Sequence, residues 1–162
     1  MKNKKGNAIL DTLTIVIVVI VMAISLIFGS QVLDLTNADI QSDAEFSQEA
    51  KDVTGNLNTN YASLFDSLFL FAFILLIIFL LVSVFLLDTH PIFFIVSVVL
   101  LIFVFVVGGM LANTYNDIAS DSDISSYANN FTYISWVMSH LLELVIAIAF
   151  LTSIVLFAKF KT

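Results

Sequence analysis

The sequence predicts an all-α protein, an integral membrane four-helix bundle with a helical extramembrane extension between its first two spans. Three observations carry this. Hydrophobic residues make up 60% of the 162-residue chain, against about 45–50% for a soluble domain. They are gathered into four long runs, and a chain this small has no core large enough to hide them. Five of the six lysines lie before the first run or after the last, while most acidic residues lie between runs.

The first run covers residues 8–29 and is broken by Asp11 and a few hydroxyl side chains. Its centre, 15–20, is almost purely Ile and Val, residues that weaken a helix in water. In lipid each backbone amide must bond within its own segment, so a helix forms regardless. At about 1.5 Å per residue the run matches the hydrocarbon thickness of roughly 30 Å.

Residues 30–63 reverse the composition, with Asp34, Asp39, Asp43, Glu45, Glu49 and Asp52 against Lys51 alone. Within this segment Phe46, Ala50, Val53, Leu57, Tyr61, Leu64 and Leu68 recur at three- and four-residue steps, one narrow helical stripe entering the second run. The expectation is a helix outside the membrane, paired with an upward extension of the first span through Val32 and Leu35 or with another subunit. Its acidic face, Asp43, Glu45, Glu49 and Asp52, is a candidate partner surface. Gly55, Asn56, Asn58 and Asn60 predict a break or kink.

The second run is 64–87, with Asp66 at its outer mouth, and the third is 92–112. The tight turn 88–91, Asp88-Thr89-His90-Pro91, predicts that these two helices are antiparallel neighbours, with Asp88 or Thr89 capping the third. Residues 113–132 form a second acidic segment, read as an extramembrane loop, with a glycosylation sequon at Asn130. The fourth run, 133–158, opens on the interfacial aromatics Tyr133 and Trp136. The tails are 1–7 and 159–162. With four spans, Lys2, Lys4 and Lys5 share a side with Lys159 and Lys161, which the positive-inside rule makes cytoplasmic.

His140 and Glu143 lie three apart on one helix face inside the fourth run, and Asp66 stands at a similar depth on the second. Ionisable groups in a span are a functional-site hypothesis by default, here a proton- or ion-binding cluster. The plainer reading is an interhelical hydrogen bond near the outer interface. Gly108, Gly109 and Ala112 make a small-residue patch suited to close helix packing. The absence of cysteine excludes thiolate metal sites and disulfides, and the net charge of −7 argues against a nucleic-acid partner. No phosphate loop, nucleophile elbow or zinc spacing occurs, so neither an enzyme nor a cofactor or metal is expected.

Two resemblances follow from short motifs. Lys4-Lys5-Gly6 before an apolar helix, with Asp11 five residues after Gly6, resembles a type IV prepilin signal, although pilins carry a soluble head where this chain has three more apolar runs. The segments Lys5-Gly6-Asn7-Ala8-Ile9-Leu10-Asp11, Phe65-Asp66-Ser67 and Asp88-Thr89-His90-Pro91-Ile92-Phe93-Phe94 resemble small four-span proteins of environmental viruses and phages. That resemblance implies a viral membrane protein, sited in a host membrane or the internal bilayer of a virion. The outward acidic segments, and spans whose middles offer only Ser25, Ser83, Ser97 and Thr152 or Ser153, point to a structural or assembly role, with membrane or capsid proteins as partners and homo-oligomers in view. The alternative is a small channel, holin or transporter subunit using Asp66, His140 and Glu143.

Overall fold

The computed structural model describes residues 8–86 and 91–160, with side chains over 11–85 and 102–155. The N-terminal lysines, Asp88, Thr89, His90 and Lys161 lie outside the described residues, and with them the expected cap of the third helix. The described chain is helical: α1 (Ala8–Ser42), α2 (Gln48–Leu86), α3 (Pro91–Ala119), α4 (Ser125–Ala128), α5 (Thr132–Ser139) and α6 (Leu141–Phe160). Three helices are long and apolar enough to cross a membrane, and α5 with α6 make a fourth if that bent pair is one span.

The first apolar run and the acidic segment are joined without interruption. α1 is 35 residues long and α2 is 39, roughly 52 and 58 Å, so each exceeds the hydrocarbon thickness by about 20 Å or more. The surplus of both forms an antiparallel hairpin. Its turn begins where the Asp43 carboxylate accepts the Glu45 amide at 2.8 Å, and Ser47 Oγ caps α2 by accepting the Ala50 amide at 3.2 Å.

The expected break near Gly55 does not occur, and α2 runs straight through it. The polar side chains there find partners that leave the helix intact. Thr59 bonds the Gly55 carbonyl and Asn60 the Asn56 carbonyl, while Asn58 reaches Asp34 on α1 at 2.9 Å. Gly55 faces Gln41 and Asn37, where a Cβ would still find ordinary contact distances.

Among the described residues α1 packs on α2 and α3, and α6 packs on the same two helices. α2 and α3 therefore lie across from one another rather than side by side, contrary to the expectation from the four-residue turn. Residues 88–90 of that turn lie outside the described residues. The buried core runs along this arrangement through Val19, Ile20, Ala23 and Ile27 of α1, Phe69 and Phe73 of α2, Val104 of α3 and Leu141 and Val145 of α6.

Two further expectations are corrected. The loop read over 113–132 is mostly helical, since α3 continues to Ala119 and α4 follows a short turn. The fourth run is not one rod: α5 and α6 are bent by 69° at His140. The cause is competition for one carbonyl. The Trp136 C=O accepts from Ser139 Oγ at 3.0 Å, His140 Nδ1 at 2.9 Å and the His140 amide at 3.2 Å. Side-chain donors that crowd a helical carbonyl bend the ladder.

Gly29 sets the spacing of α1 and α2. The Tyr61 ring crosses α1 there, and a Cβ on Gly29 would collide with the Tyr61 hydroxyl and lie 3.3 Å from Cζ. A Gly29→Ala substitution should therefore cost about 1–3 kcal/mol through overpacking. Thermal unfolding in detergent should show most of that loss restored in a Gly29→Ala, Tyr61→Phe double variant; equal losses in both backgrounds would mean that the hydroxyl does not limit the approach.

Candidate functional site

The α5 helix begins at a residue that cannot cap it. Its N-cap position is Phe131, extended in backbone and fully buried, with no side-chain bond to the helix. Two amide donors near that end would be left inside the protein. Asp66 supplies the acceptors from α2. Its Oδ2 accepts the Tyr133 amide and its Oδ1 the Ile134 amide, both at 2.8 Å. A capping carboxylate would normally come from the residue just before the helix; here it comes from 67 and 68 residues away. Asp66 is only 4% exposed, and the helix dipole together with the two amides meets its charge. Tyr115 is buried beside Ser135 and Asp66, and its hydroxyl has no hydrogen-bond partner of good geometry.

A second aspartate repeats the device farther out. Asp34 of α1 accepts Asn58 Nδ2 at 2.9 Å through Oδ1 and the Tyr127 hydroxyl at 3.1 Å through Oδ2. It thus ties α1 to α2 and to α4. The Asp34 hydrogen bond, then burial and the Asp34 charge, raise the Tyr127 phenol above its ordinary 10.0. The phenol therefore keeps the proton it donates. Nearer the tip, Gln41 Nε2 donates to the Lys51 carbonyl at 2.7 Å and Lys51 Nζ to the Gln41 carbonyl at 3.0 Å.

These bonds place the polar face of the hairpin inward. A cleft of about 570 Å³ lies between α1, α2 and α4, lined by Ser30, Asp34, Asn58, Thr59, Ser126 and Tyr127 among others. The opposite face is apolar. Val32 and Val53 are each 62% exposed, and Leu35, Leu57 and Leu64 are exposed beside them. A groove of about 520 Å³ runs between the two helices on that face, lined by Phe28, Gly29, Val32, Leu57, Tyr61 and Phe65. Of the stripe expected to pack against the first helix, Tyr61 does so, at Gly29, whereas Val53, Leu57 and Leu64, like Val32 and Leu35, stay exposed, because polar pairs such as Asp34 with Asn58 and Gln41 with the Lys51 carbonyl occupy the outer seam between α1 and α2.

The remaining candidates are distributed differently from the cluster expected. Asp66 is committed to the α5 amides, whereas His140 and Glu143 are exposed. His140 stacks on Trp136 with ring centroids 5.0 Å apart, and its bond to the Trp136 carbonyl requires the proton on Nδ1. Glu143 occupies the first turn of α6, where the dipole favours a carboxylate. No group of three His, Asp or Glu side chains placed to hold a metal occurs among the described residues. Gly109 meets Leu142 of α6 at ordinary contact distance, 3.7 Å from its notional Cβ; Ala112 is buried, and the notional Cβ of Gly108 meets nothing within 4 Å. Asp43, Glu45, Glu49 and Asp52 are all exposed at or near the hairpin tip.

No protein-family model, curated protein or solved structure matches this chain.

The Asp66 arrangement makes a direct prediction. Asp66→Asn keeps one acceptor and turns an amide donor toward the second N–H, leaving one buried amide unpaired at a cost of about 1–3 kcal/mol. Hydrogen exchange at Tyr133 and Ile134 should accelerate about tenfold or more while the hairpin amides are unaffected. Unchanged exchange at both would show that α5 does not depend on this carboxylate.

Proposed function

We propose that this chain is an integral membrane four-helix bundle with a structural or assembly role, projecting the α1–α2 hairpin as a partner surface. Its spans are α1, α2, α3 and α6, with both termini on the cytoplasmic side. α6 alone has 20 residues, about 30 Å, and suffices for the fourth crossing. α5, bent away from it, rests at the outer boundary with Tyr133 and Trp136 outward and Ile134, Val137 and Met138 toward the bundle.

One observation carries the functional reading: the hairpin is built inside out. A projection meant only for water would turn Val32, Leu35, Val53 and Leu57 toward its own seam and present Asp34 and Asn58 to solvent. Here the apolar side chains face away from the chain, with Leu35, Val53 and Leu57 above the hydrocarbon in the proposed placement, and an exposed apolar surface of this extent supports an interaction role. The alternative of a channel finds little support in the interior. The void between α1, α2 and α6 is about 10 Å³ and its lining is apolar apart from Thr12. Thr152 and Ser153 spend their hydroxyls on the Ala149 carbonyl. The viral resemblance suggests a virion or host-cell bilayer as the setting, and mass spectrometry of purified virions would decide that.

Two measurements test this. Single cysteines at Asp43 and Ser122, in a chain that has none, should react with impermeant maleimide only from the non-cytoplasmic side; reaction from the cytoplasm would invert the orientation. The chain extracted from its native membrane in mild detergent should migrate as a complex well above 17.9 kDa, and Leu57→Asp should dissociate that complex without unfolding the protein. Migration as a lone chain would remove the assembly role.

A further inference from the structure

The apolar stripe does not stop at the membrane boundary. On α1 it runs from Ile17 and Val21 through Phe28 to Val32 and Leu35, and on α2 from Leu75 through Leu68 and Leu64 to Leu57 and Val53, all exposed. Whatever covers it must be apolar inside the bilayer and remain apolar for several turns outside. At its distal end the surface changes character. Asp39 lies on the same side of α1 as Phe28 and Leu35, eleven and four residues on, and Asp43, Glu45 and Glu49 surround the tip. The only cation of the segment, Lys51, is turned to the Gln41 carbonyl.

We propose that the α1–α2 groove receives a helix of a different membrane protein. That helix leaves the bilayer without interruption, stays apolar to the height of Leu57 and carries Lys or Arg at the height of Asp39 to Glu49. This rests on the membrane placement and partner surface proposed above. A second copy of this chain fits the apolar part but not the tip. Copies inserted in the same orientation and related by an axis along the membrane normal keep every residue at its own height, so a two-fold axis would set Asp39 against Asp39 and Glu49 against Glu49, and any other rotation would set them against a tip that exposes Asp43, Glu45 and Asp52. A soluble basic peptide fits the tip but leaves uncovered the part of the stripe that descends toward the bilayer. In this arrangement burial along the groove supplies affinity, and the acidic tip selects the partner and its register.

The full chain, labelled at Asn56→Cys and reconstituted in phosphatidylcholine vesicles, can be offered two synthetic single-span helices. Each has an apolar span of about 22 residues continued by four helical turns with a leucine stripe, and the two differ in ending with four lysines or four glutamates. Energy transfer should report binding of the lysine helix at least about tenfold tighter than the glutamate helix, a margin that shrinks in about 0.5 M salt. An Asp39→Lys, Glu49→Lys variant, changed only at exposed positions, should reverse the preference. Equal binding of both helices, binding of neither, or no reversal in the charge-swapped variant would overturn the proposal. So would efficient disulfide cross-linking between copies carrying Leu57→Cys, which would identify the occupant as a second copy and leave the assembly role itself standing.

Discussion

A helix that starts inside a protein must find acceptors for its first amides, and at α5 the chain has placed Phe131 where a capping side chain would normally stand. The Asp66 carboxylate meets that need from another helix, and much of the outer architecture depends on it. Because Asp66 belongs to α2, the start of α5 is pinned to α2. That position holds Phe131 in the core, edge-on to Tyr61 with ring centroids 6.4 Å apart. Tyr61 in turn lies across Gly29 of α1. A single acceptor pair thus fixes the relative placement of three helices. Its charge has no cation beside it among the described residues, so dipoles alone stabilise it, and dipoles do so only when their geometry is held.

The architecture was legible where it rests on hydropathy and the site was not, because it rests on pairing at long range. The four apolar runs became α1, α2, α3 and the α5–α6 pair, and the three-and-four spacing from Ala50 onward did become a helix running into the second span. Hydropathy carries no record of which carbonyl a side chain will compete for, so the bend at Ser139 and His140 was invisible to it. Nor does a four-residue turn between helices say whether they will be neighbours. Asp34 and Asp66 looked like members of acidic or interfacial sets, while their partners stand far off in the chain. One clue was present in each case. A lone carboxylate at the mouth of a span needs donors, and an apolar residue in a helix-start position needs acceptors.

The seam of the hairpin shows a trade between strength and definition. Polar pairs such as Asp34 with Asn58 and Gln41 with Lys51 each contribute about 0.5–1.5 kcal/mol net, less than burial of a leucine at roughly 1.5–3 kcal/mol. Their value lies in direction. Apolar side chains tolerate slippage by a turn, whereas a carboxylate bonded to one amide and one phenol does not. A projection registered in this way keeps its outer surface in a defined shape before anything binds, which lowers the ordering cost of association.

α1 also has a mechanical property. It is one uninterrupted helix from the interior of the bundle to Ser42 at the tip, so in the membrane placement proposed above it would act as a stiff lever with its fulcrum in the hydrocarbon. Spans respond to bilayer thickness by changing tilt. For a rod of this length a change of about 5° displaces the tip by roughly 2–4 Å, about the breadth of a side chain. Under that placement, thinning or curving the bilayer would alter which residues at the hairpin tip stand opposite a neighbouring protein, so the thickness of the membrane would be written into the position of a surface well outside it.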